Sequence, residues 1–88
     1  MVLSKESLKR IKALVQNNDH GGAYLLAAQK LGLDDLAERF GSINRRHMQL
    51  GYLPTKLYVE RYEAYQELNA SAQDKLGAIG FKEFYDVF

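Results

Sequence analysis

The sequence predicts an all-α fold, a compact single-domain bundle of five to six short helices. Apolar residues recur at helical spacing along most of the chain, and no stretch alternates with the period of two that a half-buried strand shows. β-branched residues are also scarce, with three Ile and a single Thr in the whole chain. Both observations favour helices over strands.

Length and composition predict one domain over residues 1–88 and a cytoplasmic protein. The apolar share of 47% is typical of a globular chain and favours a folded domain over intrinsic disorder. The chain has no Cys, which excludes disulfides and thiolate metal sites and fits a reducing compartment. No stretch approaches the roughly 18 apolar residues of a membrane span, and the N-terminus lacks the apolar core of a signal peptide.

The first two predicted helices lie over about 5–17 and 23–31. Ser4 stands at the N-cap position of the first, ahead of apolar residues at helical spacing. The turn-forming residues 17–22 predict a break between the two helices. The second helix is rich in strong helix formers, and Gly32 stands where a C-terminal cap is expected.

Two short helices with a turn between them are predicted next. The third helix begins at the acidic pair Asp34-Asp35, which suits the positive end of a helix dipole, and Gly41 stops it. Ser42 caps the fourth, over 43–50.

The longest predicted helix lies over about 56–69. A weaker helical turn over 71–76 follows it. Gly77 and Gly80 interrupt the pattern, and a short helix over 81–88 comes last.

Residues 36–50, LAERFGSINRRHMQL, carry half of a DNA-binding pattern. The packing residues, the small contact residue and the turn glycine of that pattern correspond to Leu36, Ala37, Phe40 and Gly41. In this half the segment resembles the bacterial helix-turn-helix family. The resemblance implies a second helix whose base-edge and phosphate donors would be Asn44, Arg45, Arg46 and Gln49.

The second half of the segment departs from the family pattern. Ser42 stands where an apolar residue is expected after the turn, and His47 occupies a position that the family buries. Gly51 and Pro54 keep the helix to about two turns. The basic residues of the stretch support only a few phosphate contacts, so DNA reading by residues 42–50 is the second choice of function.

Aromatic residues form two further patterns. The tyrosine stripe, at i, i+4 and i+7 of the longest helix, consists of Tyr58, Tyr62 and Tyr65. On other faces lie an acidic stripe of Glu60, Glu63 and Glu67 and an inward-packing face of Leu57, Ala64 and Leu68. Aligned tyrosines suit either core packing or a binding surface, because Tyr supplies a large contact area with a polar tip.

The last predicted helix has a wholly aromatic face. Its members, at i, i+3, i+4 and i+7, are Phe81, Phe84, Tyr85 and Phe88. A helix this short is not stable alone and needs a surface to dock on. That surface is its own domain, a partner groove, or a second copy of the chain, which would make a homodimer.

Sequence patterns of catalysis or metal binding are missing. The two histidines lie far apart in the chain, and there is no Gly-x-Ser-x-Gly elbow, phosphate-binding glycine loop or His-Glu-x-x-His pair. We therefore expect no catalytic residue, no cofactor and no metal.

The combined expectation is a small non-enzymatic binding protein that docks stoichiometrically on a protein partner as a regulator or inhibitor. Small proteins of bacterial or phage origin often have this character, which is an analogy from size and composition. The net charge of +1 exerts no global attraction toward nucleic acid or membrane. The predicted partner-binding residues are Asn44, Arg45, Arg46, Gln49, Tyr52, Lys56, Tyr58 and Tyr62.

Overall fold

Residues 3–88, the part of the chain that a computed structural model describes, fold into helices without any strand. The four helices are α1 (Lys5–Gln16), α2 (His20–Lys30), α3 (Asp34–Leu50) and α4 (Thr55–Val87). The all-α prediction is confirmed. The predicted number of five to six short helices is wrong, because α3 and α4 each join segments that were expected to be separate.

The helices pack around α2. It contacts both α1 and α3, which do not pack on each other, and α4 crosses all three. The radius of gyration, 12.6 Å, matches the roughly 12 Å of a compact chain of this length. The buried core consists of Leu3, Ile11, Ala23, Ala27, Ala28, Leu31, Leu36, Phe40, Ala64, Leu68, Ala72 and Phe84.

The connection between α1 and α2 is shorter than predicted. Ser4 caps α1 as expected, since its Oγ accepts a hydrogen bond from the Ser7 backbone N–H at 3.1 Å. The predicted start of the second helix at residue 23 is wrong, because α2 begins at His20. Asp19 accepts a hydrogen bond from the Gly22 N–H at 3.0 Å, and this cap brings both glycines of the pair into the first helical turn.

The predicted turn at Gly41 is also wrong, because α3 continues through it without a break. Leu36, Phe40 and Ile43 fall on one helical face and are all buried. Burial of each such side chain contributes about 1.5–3 kcal/mol, whereas a mid-helix glycine costs about 1 kcal/mol relative to alanine. Burial outweighs the glycine penalty, so Ser42 lies inside the helix and no helix-turn-helix corner forms here.

Gly41→Ala should therefore stabilise the fold by about 0.5–1 kcal/mol, since alanine is the better helix former at a mid-helix position. A Cβ there would meet Arg45 Nη1 at 3.5 Å, an ordinary contact. Gly21→Ala is the matched contrast, because its Cβ would overlap the Asn44 side chain, and we expect it to destabilise the fold. Urea denaturation followed by circular dichroism measures both changes. If Gly41→Ala is instead less stable than wild type, position 41 needs glycine, and the predicted turn at Gly41 would be supported over a continuous α3.

Helix α4 joins the segments predicted over 56–69, 71–76 and 81–88. Its inward face was predicted correctly: Leu57, Ala64 and Leu68 are buried, and buried Ala72 extends the face across the expected break. A single residue, Gly77, has non-helical angles, φ 72° and ψ 178°, and kinks the helix. Residues 78–88, beyond this kink, are called the C-terminal segment below.

The aromatic face of the C-terminal segment packs on the chain's own core. Phe84 is fully buried, and its ring centroid lies 5.1 Å from that of Phe88. Phe88 also lies 5.4 Å from Tyr24 of α2, while Tyr85 is left exposed. A homodimer sealed by all four aromatic residues would require the segment to leave this core.

Candidate functional site

The two flanks of α4 differ in chemistry, and the acidic stripe faces α3. There Arg46 Nη1 pairs with Glu60 Oε2 at 3.1 Å, and Arg39 Nη1 pairs with Glu67 Oε2 at 2.6 Å. Both pairs are about half exposed, so each contributes at most about 1 kcal/mol. Both pairs join α3 to α4. Because Arg39 and Arg46 are paired within the chain, neither is a free cation for a partner.

The opposite flank of α4 forms an open cleft with the start of α2. This tyrosine–arginine cleft has a volume of about 230 Å³, and its lining residues are His20, Tyr24, Tyr58, Arg61, Tyr62 and Tyr65. Tyr58 and Tyr62 are about half exposed. Tyr65 packs inward, with its ring centroid 4.7 Å from that of Tyr24. The tyrosine stripe thus supplies one residue to the edge of the core and two to the surface.

Arg61 lines the cleft and lies beside two aromatic rings. Its Cζ is 5.9 Å from the ring centroid of Tyr24 and 5.9 Å from that of Tyr58. Each such cation–π contact contributes roughly 0.5–1 kcal/mol at a partly exposed site. Within residues 3–88, Arg61 forms no ion pair, in contrast to Arg39 and Arg46.

The cleft has several hydrogen-bond donors and, among the described residues, no carboxylate. None of its four tyrosine hydroxyls hydrogen-bonds to another group of the described chain, and no carboxylate is among its lining residues. Burial raises the pKa of Tyr24, and the neighbouring Tyr65 raises it further while Arg61 lowers it. The Tyr24 hydroxyl therefore stays protonated at neutral pH and can donate.

A second groove adjoins the cleft and shares His20 and Arg61 with it. This Met48 groove, of about 420 Å³, lies between the start of α2 and the second half of α3. His47 and Met48 form its α3 wall, and Met48 is 85% exposed. Asp19 is the one acid in its lining, and that carboxylate already caps α2. The tyrosine–arginine cleft and the Met48 groove together are called the docking groove below.

The predicted partner-binding residues on α3 do not enter this groove as a group. Asn44 has an intrachain role, since its Nδ2 donates to the Gly21 carbonyl at 3.0 Å. Arg46 is paired with an acid of α4. Arg45 and Gln49 are exposed on α3 and line neither part of the docking groove.

The predicted residues that follow α3 divide into two places. Tyr52 is exposed in the loop between α3 and α4, and Lys56 lines a shallow groove with Leu50 on the acidic flank. Tyr58 and Tyr62 do line the tyrosine–arginine cleft. Of the eight predicted residues, these two line the cleft with Arg61, and Asn44 lines the adjoining Met48 groove, where its side chain is bonded to Gly21.

Neither histidine belongs to a metal-binding cluster. Among residues 3–88, no group of three His, Asp or Glu side chains converges as a metal site requires. The His20 ring instead lies beside that of Tyr24, with ring centroids 6.3 Å apart.

No helix within residues 3–88 has the length and the apolar character needed to cross a membrane.

Comparison with known proteins adds no family to this description. Neither a family model, nor a curated protein, nor a solved structure matches the chain. The surfaces described above are therefore the basis on which a function can be assigned.

Proposed function

We propose that this protein is a small non-enzymatic regulator or inhibitor that docks stoichiometrically on a partner protein. The single observation that carries the proposal is the docking groove, where Tyr58 and Tyr62 stand exposed around Arg61. Tyrosine and arginine are enriched among the residues that dominate protein–protein binding energy. Each buries a large area and ends in polar groups that orient the partner.

The distribution of exposed apolar side chains supports the same surface. Eight large apolar side chains are exposed among residues 3–88, and six of them lie between positions 48 and 62. These six are Met48, Leu50, Tyr52, Tyr58, Val59 and Tyr62. Met48, Tyr58 and Tyr62 of this set line the docking groove, whereas Leu50 lines the groove on the acidic flank. Single exposed apolar residues are ordinary, but several around one groove are typical of an interaction surface. Methionine suits such a surface because it adapts its shape to a partner.

Reading of duplex DNA by residues 42–50 is less well supported. The turn on which that hypothesis depended does not form at Gly41, and Arg46 is paired with Glu60. Arg45 is then the one exposed, unpaired arginine of the stretch, and a single cation is too few for strong phosphate binding.

The cytoplasmic location stays a prediction from the sequence.

Site-specific photo-cross-linking tests the docking surface. We expect p-benzoylphenylalanine in place of Tyr62 to give one discrete protein adduct in the cells that produce the protein. The same substitution at Tyr85, which is as exposed as Tyr62 (54% against 51%) but lies outside the groove, should give none. With the purified partner, Tyr58→Ala combined with Tyr62→Ala should raise the Kd about 100-fold, because two interface anchors are lost.

The control for that measurement is Tyr85→Ala, which should change the Kd by no more than about twofold. Equal cross-linking from positions 62 and 85 would contradict the assigned surface. Duplex DNA binding that falls steeply with salt, and that Arg45→Ala with Arg46→Ala abolishes, would support the DNA alternative instead.

A further inference from the structure

We propose that the docking groove recognises an acidic segment of the partner protein. Its Asp or Glu carboxylate would pair with Arg61 in the tyrosine–arginine cleft, and an adjacent apolar side chain would pack on Met48. This inference rests on the proposed function, because it names the chemistry of the partner at the same surface.

Charge complementarity is the first argument for an acidic partner. Arg61 forms no ion pair within residues 3–88, and the cleft around it is lined by tyrosines and a histidine without an acid. The acidic stripe of α4 lies on the other flank, where Arg39 and Arg46 pair with two of its members. The tyrosine–arginine cleft therefore has a positive charge with no acid of the described chain in its lining, and the one acid of the adjoining Met48 groove, Asp19, caps α2 and forms no ion pair with Arg61.

The hydrogen-bonding inventory of the cleft gives a second argument. A guanidinium presents five N–H donors and no acceptor, and an ionised carboxylate is an acceptor with two oxygens. The four tyrosine hydroxyls of the cleft add further donors that have no partner within the described chain. A bound carboxylate accepts from the guanidinium and from any hydroxyl within reach, whereas a purely apolar ligand accepts from neither and a cationic ligand is repelled by Arg61.

Preorganisation is the third argument. Arg61 is partly buried and has the rings of Tyr24 and Tyr58 at 5.9 Å, so its planar group is already held before a ligand arrives. A held guanidinium loses less side-chain freedom on binding and forms a bidentate pair more readily than a free lysine or arginine on a flat surface. The rings also reduce the contact of the ion pair with water, which strengthens it.

The surroundings favour a protein carboxylate over a nucleic-acid phosphate. The cleft holds one arginine, and the acidic stripe with Glu63 lies on the same helix and would repel a polyanion that crossed α4. The neighbouring Met48 groove offers an apolar side chain that is 85% exposed, which suits an aliphatic or aromatic residue and not a second phosphate. An acidic residue next to an apolar residue is the segment that fits both parts.

Titration of the isotope-labelled protein with a capped peptide, acetyl-Gly-Glu-Leu-Gly-amide, tests the chemistry. We expect saturable NMR shifts of the Arg61 side chain and the Met48 methyl group, with a millimolar Kd, the range for a ligand of this size. The matched peptide with Gln in place of Glu should bind at least about tenfold more weakly, because it lacks the charge. Absence of shifts at these two residues up to tens of millimolar peptide would overturn the proposal.

Variants separate the cleft from general electrostatics. Arg61→Gln should weaken binding of the Glu peptide at least about tenfold, and Arg61→Lys should fall between, because lysine keeps the charge and loses the planar fork. Arg45→Gln removes one equal charge outside the groove and should leave the Kd unchanged. Unchanged amide spectra away from the cleft show that each variant is folded.

Two results distinguish this inference from the proposed function. If the cross-linked partner depends on Tyr58 and Tyr62 but binds Arg61→Gln as tightly as wild type, docking stands and the carboxylate assignment is wrong. If a single-stranded oligonucleotide shifts the same resonances at lower concentration than the Glu peptide, the groove binds phosphate and the acidic-segment proposal is overturned.

Discussion

Replacement of Phe84 with alanine should lower the free energy of unfolding by about 3–5 kcal/mol. Phe84 is fully buried, and its ring lies 5.1 Å from Phe88 and 6.2 Å from Phe81. The substitution leaves a cavity where the C-terminal segment meets the core. Because small domains have a total stability of roughly 5–15 kcal/mol, the variant would lie close to the limit of folding.

The neighbouring residue provides a matched control for this prediction. Tyr85 is 54% exposed, so Tyr85→Ala should change the free energy of unfolding by no more than about 1 kcal/mol. Urea denaturation at two protein concentrations measures both variants and also tests the homodimer hypothesis. A wild-type midpoint that rises with concentration, and a Phe84→Ala midpoint that does not, would show that the aromatic face seals a dimer.

The helix ends that depend on local chemistry could be predicted from the sequence. Ser4 caps α1, and Gly32 and Gly51 follow α2 and α3 with φ angles of 72° and 77°. A capping hydroxyl or a left-handed glycine acts within one turn of the chain, so the adjacent sequence is enough to identify it.

The breaks that depend on tertiary packing could not be predicted in this way. Gly41 and Gly77 look alike in sequence, yet α3 continues through the first and α4 kinks at the second. The difference lies in what each helix buries beyond the glycine. Straight continuation buries Ile43 in α3, whereas only a kinked α4 returns Phe84 to the core.

The candidate site could be predicted only in part for the same reason. Tyr58 and Tyr62 follow from helical spacing, and Arg61 could have been found with them, since it lies at i+3 from Tyr58 on the same flank. His20 and Met48 are brought to the groove by the packing of α2 on α3, which no local pattern shows. Asn44 was assigned to binding as a polar residue of the basic stretch. Its intrachain acceptor, the Gly21 carbonyl, lies 23 residues away, so no local pattern indicates that hydrogen bond.

Gly77→Ala should either strain the protein or change its oligomeric state. At φ 72° and ψ 178°, Gly77 occupies a region of backbone conformation that only glycine adopts readily. A residue with a Cβ held there costs about 1–3 kcal/mol. Alanine also favours the helix, so α4 can relieve the strain by straightening through position 77.

A straightened α4 would carry the C-terminal segment away from its own core. Phe84 and its aromatic neighbours would then lose their burial, unless the segment of a second copy took the vacated place, as in domain swapping. We therefore expect the unfolding midpoint of Gly77→Ala to fall at low protein concentration. Sedimentation should show a dimer appearing at high concentration if the strain is relieved by exchange.

A second substitution identifies the exchanged element. In Gly77→Ala combined with Phe84→Ala, the swapped segment would lack its buried anchor, so the dimer should disappear while the monomer stays destabilised. A dimer that persists in the double variant would mean that another surface holds it. A Gly77→Ala protein that is monomeric and as stable as wild type would contradict the glycine-specific kink, because a straight α4 cannot keep Phe84 in the core of the same chain.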